Sequence, residues 1–291
     1  MRFGVIDKLT ADFNFSVDLC CKLLKVSRSG FYSYRSRDYY TPKQIENLKL
    51  TAKVETAFYK NKKRYGSPRL TQYLKSEGEQ VGRHKVAYVM RKKGLSAKKK
   101  KSYKPKTTIN NPNLKKSARI FKIEGARVKK ENKVWCSDLT YIPFGKSFLY
   151  LVVYLDLYNR KVKSWSLDAN MKSRNTRRAF LRATKGEDVA GLVAHSDQGV
   201  QYCAGSYKND LKMLNVIQSM SRKGNCYNNA YVESFFHTLK NELDLSLCDT
   251  AEEVEREINE YMQWYNEERL HSSLGYMSPV KYTKQQQALS A

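Results

Sequence analysis

Residues 147–168, SFLYLVVYLDLYNRKVKSWSLD, form the clearest structural pattern in the chain. They contain two short runs of apolar and aromatic side chains, which Tyr158, Asn159 and Arg160 separate. Two such runs joined by a short polar turn are typical of a β-hairpin. The stretch therefore predicts two antiparallel strands, from which the rest of the fold can be worked out.

Further strands and helices are expected on both sides of this hairpin. Residues 134–144 show the partial alternation of a strand, and the short apolar runs 191–197 and 216–220 are typical of buried strands. Helical periodicity is present in four segments: 172–185, 205–214, 229–243 and 251–267. A hairpin sheet followed by alternating helix and strand predicts an α/β fold with a mixed sheet.

The positive charge of the chain is concentrated in its first half. Residues 1–130 hold 34 Lys and Arg against 9 Asp and Glu, whereas residues 131–291 hold 20 against 19. A polyanion is the natural partner of such a basic region, and nucleic acid is the commonest one. An anionic membrane surface is the competing partner, but no lipidation signal, long basic amphipathic helix or transmembrane-length apolar stretch supports it.

The cysteines and histidines do not form a metal-binding pattern. None of the six cysteines belongs to a CxxC pair, and the four histidines are scattered, which disfavours a zinc site. The first residues lack the shape of a signal peptide. Reduced thiols in a cytoplasm are the expected state.

Two helical hairpins are expected in the basic half. In residues 13–37, Ser16 and Ser27 can cap two short helices, as in a helix-turn-helix, although any small helical hairpin shows this pattern. In residues 62–95, Ser67 is the expected cap.

The second hairpin carries the densest group of positive side chains. Gly78 and Gly94 are the expected ends of its two helices. Clustered cations release counterions from phosphates, so DNA contact is one interpretation, and a solvated basic face is the other. The candidate DNA-binding residues here are Arg83, His84, Lys85, Arg91, Lys92, Lys98, Lys99, Lys100 and Lys101.

Three carboxylates occupy the ends of the expected core elements. Asp138 lies in the first strand, Asp197 follows a buried strand, and Glu233 lies in a helix. Such positions are where α/β folds bind ligands, and carboxylate oxygens suit a pair of divalent cations. On a helical wheel Lys240 lies about 20° from Glu233, on a ridge with Asn229 and His237. The ridge could hold a phosphate, or it could be an ordinary solvated face.

Other polar residues near these segments allow two interpretations each. His195 could orient the site or pack locally, and Gln201 and Tyr202 could contact the end of a DNA strand. Arg269 and His271 could brace the fold or bind DNA.

Several segments, in order, resemble the OrfB transposases of bacterial insertion sequences of the IS-three family, in the transposase and retroviral-integrase superfamily. Thirty-five residues separate Asp197 from Glu233, the spacing typical of that superfamily. The likeness spans about residues 60–283, and it departs at Asn228, where many relatives carry Asp. The segments are RYGSPRLTQYL (64–74), VGRHKVAYVMRKKGL (81–95), WCSDLTY (135–141), HSDQGVQY (195–202), SMSRKGNCYNNAYVESFFHTLKNE (219–242) and YNEERLHSSLGYMSP (265–279).

This resemblance implies an RNase H-like catalytic core, with a mixed five-stranded sheet flanked by helices. Asp138, Asp197 and Glu233 would be its catalytic residues and would bind two Mg²⁺ ions, with Mn²⁺ as a substitute. The implied reaction is cleavage at a DNA 3′ end followed by transfer of that strand to another phosphodiester. An RNase H-like nuclease and a catalytically inactive DNA-binding regulator are the alternatives.

The resemblance also implies the domain order and the partners. The partners would be terminal inverted repeats, target DNA, further copies of this chain on DNA, and an OrfA protein as partner or fusion, in the bacterial cytoplasm at the nucleoid. The expected regions are a helical region at 1–60, a helix-turn-helix-like segment at 61–101, a basic linker at 102–128, the catalytic core with a C-terminal helix at 129–284, and a tail at 285–291.

The uneven charge predicts a division of labour in DNA binding. A fragment of residues 1–128 should bind DNA with an affinity that falls steeply as salt rises, because it carries nearly all of the excess positive charge. A fragment of residues 129–291 should bind far more weakly in the same titration. Equal affinities of the two fragments at moderate salt would contradict this prediction.

Overall fold

The computed structural model describes residues 2–36, 41–97, 117–118, 128–221 and 230–290. The chain divides into two compact units, Met1–Ser96 and Ala97–Ala291. Lys98, Lys99, Lys100, Lys101 and Asn229 lie outside the described residues, as does most of the expected linker at 102–128.

The first unit begins with three short helices around a small core. Ile6, Cys20, Cys21 and Phe31 form this core. Ser16 caps the second helix as expected, and the amide of Gly30 donates to Ser27 Oγ at 3.1 Å in the third. The helices are α1 (Arg2–Asp12), α2 (Val17–Leu23) and α3 (Arg28–Ser36).

Three further helices complete the first unit: α4 (Pro42–Lys60), α5 (Ser67–Ser76) and α6 (Arg83–Lys92). α4 packs against both α5 and α6, so this helical group begins before residue 61, where the sequence interpretation started it. α5 begins at Ser67, so Gly66 occupies the N-cap position and makes no side-chain capping bond. The prediction that Ser67 caps this helix is therefore wrong. Gly78 and Gly94 have the positive φ angles that end helices.

A five-stranded mixed sheet with strand order β3-β2-β1-β4-β5 forms the centre of the second unit. β1 pairs antiparallel with β2 and parallel with β4; β2–β3 is antiparallel and β4–β5 parallel. This arrangement confirms the predicted mixed α/β sheet. The strands are β1 (Val134–Phe144), β2 (Ser147–Asp156), β3 (Val162–Asp168), β4 (Val193–Ser196) and β5 (Ile217–Met220).

Alternate residues of the central strands build a core on each face of the sheet. Leu151, Val153 and Leu155 of β2 pack in one core, while Val152 and Tyr154 pack in the other. This alternation follows from the two-residue period of a strand. The sheet is therefore covered on both faces and holds its strand ends in fixed positions.

Helices cover both faces. α10 and α11 supply the first core, and α7, α8 and α9 supply the second. α12 runs to Ala288 and thus crosses the expected tail boundary at 284. The helices are α7 (Ser173–Thr184), α8 (Val200–Cys203), α9 (Gly205–Met213), α10 (Ala230–Glu242), α11 (Ala251–Glu267) and α12 (Pro279–Ala288). Within the described residues, none of the helices has the length and apolar character needed to cross a membrane.

Candidate active site

The parallel pairing of β1 and β4 brings Asp138 and Asp197 side by side. Cys136 of β1 pairs with His195 of β4. Asp138 lies two residues after Cys136, and Asp197 lies two residues after His195. Adjacent strands are about 4.8 Å apart, so the two carboxylates start from neighbouring backbone positions. Asp138 is still inside its long strand, whereas Asp197 comes directly after the last residue of β4.

Backbone amides hold both carboxylates in place. The amide of Leu139 donates to Asp138 Oδ1 at 2.8 Å, and the amide of Gly199 donates to Asp197 Oδ1 at 2.9 Å. Both side chains are half-buried. Each aspartate therefore keeps one carboxylate oxygen in a fixed position, and these contacts leave the other oxygen available for a ligand.

Burial raises the pKa of both aspartates. For Asp138, the negative charges of Asp197 and Glu233 raise the pKa further, while the Leu139 amide and the Lys240 ammonium lower it. For Asp197, burial is opposed by the hydrogen bond from Gly199. Two neighbouring carboxylates with raised pKa values need additional positive charge to be ionised together.

Glu233 and Lys240 approach this pair from α10. Glu233 lies in the first turn of the helix and is exposed, whereas Lys240 is half-buried. Burial lowers the pKa of Lys240, and the charge of Asp138 raises it. In the described parts of the chain, no three His, Cys, Asp or Glu side chains are grouped closely enough to hold one ion. The structure thus joins the two aspartates and leaves Glu233 further away.

Tyr202 lies beneath the two aspartates and is fully buried. Its hydroxyl is 2.8 Å from Ser137 Oγ, next to Asp138 in the chain. Burial and the charges of Asp138 and Asp197 raise the pKa of Tyr202. The expectation that Tyr202 contacts DNA is therefore wrong, because its side chain belongs to the core.

The remaining candidates near the site differ in burial. His195 is buried, and its Nδ1 lies 3.0 Å from Ser219 Oγ on β5. Gln201 is half-buried and folds over Gly199, where an added Cβ would lie 2.5 Å from its amide nitrogen. His237 is exposed, and its Nε2 is 2.9 Å from the amide of Asn241.

Two candidates from the C-terminal segment lie inside the fold. Arg269 and His271 are 2% and 8% exposed, and Arg269 forms an ion pair with Glu242. Sequence reasoning did not single out Glu242, because a charged residue at the end of a helix is normally solvated. Only the tertiary structure shows that it is buried.

The described basic candidates of the first unit all lie on the surface of α6. Lys85 forms an ion pair with Glu46 of α4 at 3.2 Å. The exposed residues are Arg83, His84, Lys85, Arg91 and Lys92.

Models of known families match most of the chain. Residues 128–226 and residues 214–279 each match an integrase core domain, and residues 45–103 match a helix-turn-helix-like domain. The two integrase matches together include Asp138, Asp197 and Glu233. The fold thus belongs to the class of integrase-type polynucleotidyl transferases.

The similar proteins are transposases encoded by insertion sequences. The transposase of IS904 from Lactococcus lactis is 39% identical, over 83% of this chain and 96% of the relative. The InsF transposase of IS3A from Escherichia coli is 33% identical, over 97% and 98%. The chain therefore belongs to this family of insertion-sequence transposases and catalyses DNA transposition. This confirms the resemblance to OrfB transposases that the sequence indicated.

Solved structures with a similar chain path include two viral integrase core domains. The HTLV-2 integrase core in complex with magnesium gives a TM-score of 0.43 at 20% identity, covering 53% of this chain and 97% of that one. The BIV integrase core gives 0.44 at 19% identity, covering 55% and 98%.

The raised pKa of Asp138 predicts that its charge destabilises the metal-free protein at neutral pH. A folded-state pKa above the unfolded value means that stability falls as the pH rises through that interval. Asp138→Asn should therefore raise the melting temperature of the metal-free protein at pH 7, and the gain should shrink at acidic pH. Calorimetry with a chelator checks this.

Asp210→Asn is the matched control, because Asp210 accepts hydrogen bonds from Arg177 and its charge is compensated. This control should lower the melting temperature. A lower melting temperature for Asp138→Asn as well would contradict the prediction.

Proposed function

We propose that Asp138, Asp197 and Glu233 are the catalytic carboxylates of this transposase, and that they bind two divalent cations, Mg²⁺ or Mn²⁺. The observation that carries the proposal is the pairing of β1 with β4, which places Asp138 and Asp197 side by side below α10. Glu233 is the acidic residue in the first turn of α10.

The chemistry of this group of residues suits such ions. Carboxylate oxygens are the preferred ligands of Mg²⁺. The negative charges of Asp197 and Glu233 both act on Asp138, and Lys240 contributes one positive charge to it. Two divalent ions would supply the missing charge. The Glu233 side chain is exposed, so it can change rotamer to reach the ions.

The reaction would be hydrolysis at the 3′ end of the element and transfer of that end to target DNA. When bound, a pair of metal ions activates the attacking oxygen and stabilises the leaving oxygen. The amides of Leu139 and Gly199 each hold one oxygen of Asp138 and Asp197, and the second oxygen of each carboxylate would bind the ions. The three carboxylates bind and orient, so no side chain has to act as a covalent nucleophile.

Lys240 is proposed to contact a phosphate of the DNA end. It lies on the same side of α10 as Glu233, about 10 Å further along the helix axis. Lys240 is half-buried, and the charge of Asp138 raises its pKa, which supports a position of the ammonium near that carboxylate. A lysine in this position can neutralise Asp138 and bind the neighbouring phosphate.

The DNA partners would be the terminal inverted repeats and the target. The exposed basic residues of α6 are proposed to bind the phosphate backbone, which supplies most of the salt-dependent affinity. Transposition joins two DNA ends, so several copies of the chain on DNA, and an OrfA partner or fusion, are part of the proposal. Its place of action would be the bacterial nucleoid.

The metal-ligand assignment predicts the effect of three isosteric substitutions. Asp138→Asn, Asp197→Asn and Glu233→Gln should each reduce 3′-end cleavage and strand transfer more than about 100-fold. Residues that only orient a metal ligand already contribute about 10- to 100-fold, and the ligand itself contributes more. The assay joins labelled terminal-repeat DNA to a target with Mg²⁺.

DNA binding is the control for these variants, and its affinity should stay within about threefold of the wild type, because α6 is unchanged. Near-normal strand transfer by any one variant would show that its residue is wrongly assigned. Cleavage without joining by the wild-type protein would favour a nuclease instead.

The proposed role of Lys240 predicts weaker engagement of the DNA end in Lys240→Ala. A charge-assisted contact contributes about 1.5–3 kcal/mol, so strand transfer at limiting DNA should fall roughly 10- to 100-fold. Lys240→Arg should recover much of the loss, and Lys212→Ala, at an exposed lysine of α9, should have no effect. An alanine variant within about twofold of the wild type would contradict the DNA contact.

A further inference from the structure

A buried ion pair joins the end of α10 to the C-terminal segment of the chain. Arg269 Nε donates to Glu242 Oε2, and Arg269 Nη2 donates to Glu242 Oε1, both at 2.7 Å. Tyr261 of α11 donates its hydroxyl to Glu242 Oε2 at 3.0 Å. These three residues are 8% exposed or less. Three directional bonds therefore fix the Glu242 carboxylate.

The segment that presents Arg269 is itself tightly folded. The amide of Arg269 donates to the carbonyl oxygen of Trp264 at 2.9 Å, so the backbone of Arg269 is bonded to the last turn of α11. The ring of His271 packs edge-on against Tyr265 at 4.7 Å and lies 3.3 Å from Arg269 Nη1. Gly275 has a φ of 62° that lets the chain turn back. Hydrogen bonds and neighbouring side chains therefore fix both the backbone and the guanidinium group of Arg269.

The geometry of α10 relates this ion pair to the proposed active site. Glu242 follows Glu233 by nine residues, and at about 100° per residue the two side chains lie on opposite sides of the helix. Between them, Val232, Phe236 and Leu239 pack into the core. This apolar stripe sets which face of α10 is buried, and the three directional bonds to Glu242 narrow the remaining rotation of the helix about its axis.

The placement of a metal ligand is sensitive to that rotation. A side chain on a helix ends about 5 Å from the axis, so a rotation of about 10° moves it by about 1 Å. Ligand distances at a metal site hold to within about 0.2 Å. A few degrees of rotation in α10 would therefore shift the positions that the Glu233 carboxylate can reach when its side chain turns towards the ions.

We infer that Arg269, Glu242 and Tyr261 are positioning residues that restrict the rotation of α10 and thereby keep Glu233 within reach of the metal ions. This inference rests on the proposed role of Glu233. It gives the 265–279 segment a role in the reaction through Arg269, whose side chain is buried.

A purely structural role makes a different prediction. Replacing both members of a buried ion pair by apolar residues often leaves stability unchanged or raises it. The double variant Glu242→Met, Arg269→Met should therefore fold, yet it lacks the directional bonds. A structural role predicts normal metal binding in this variant, and a positioning role predicts a defect.

The experiment measures Mn²⁺ binding to the full chain by electron paramagnetic resonance, with melting temperatures in parallel. Arg269→Lys and the double variant should bind Mn²⁺ about tenfold or more weakly, as expected when an orienting partner is lost. The matched control is Arg177→Lys, which breaks another two-bond arginine–aspartate pair, between α7 and α9. Its Mn²⁺ affinity should stay within about twofold of the wild type.

The variant Glu233→Gln distinguishes a failure of the positioning role from a failure of the proposed metal-ligand role of Glu233. If Glu233→Gln binds Mn²⁺ like the wild type, the ligand assignment fails and the inference with it. If Glu233→Gln is impaired but the double variant binds normally, the inference alone is overturned.

Should neither Arg269 variant fold, Tyr261→Phe decides, because it removes only one hydroxyl. It should weaken Mn²⁺ binding about two- to tenfold, the cost of one hydrogen bond, and an unchanged affinity would overturn the inference.

Discussion

The parallel pairing of β1 with β4 is the constraint on which the rest of this transposase depends. The register Cys136–His195 brings Asp138 and Asp197 together, although 58 residues separate them in the chain. The hairpin partner β2 holds β1 from the other side, and both faces of the sheet are buried. The strand pairing therefore keeps the backbone positions of the two aspartates close together, despite the repulsion between their charges.

The close approach of the two aspartates lowers the stability of the protein, because it holds negative charges near one another. Burial and mutual repulsion raise the pKa of Asp138, and only Lys240 and the Leu139 amide oppose this. A site that holds like charges together without compensation is strained until cations bind. Tyr202 and Ser137 are buried next to the pair and hydrogen-bonded to each other. Under the proposed function, the bound ions would relieve this repulsion.

Local patterns predicted much of the fold, and tertiary contacts account for what was missed. The helix at 251–267 was predicted to the residue from its apolar stripe, and the structure adds a capping box formed by Thr250 and Glu253. α4 was missed, since Ile45 and Leu48 are exposed and obscure its periodicity, although Thr41 and Gln44 form a readable capping box. The ion pair of Glu242 with Arg269 could not be predicted, because nothing in a sequence indicates which distant charges are buried together.

Asp138, Asp197 and Glu233 are proposed to ligate one pair of metal ions. A crystal structure of the protein with Mn²⁺ and terminal-repeat DNA, with the metals located by anomalous scattering, tests this proposal. Two ions about 3.5–4 Å apart are expected, with Asp138 and Asp197 as ligands and Glu233 drawn in from its exposed position. Ions bound elsewhere, or a pair of ions that leaves Glu233 unengaged, would contradict it.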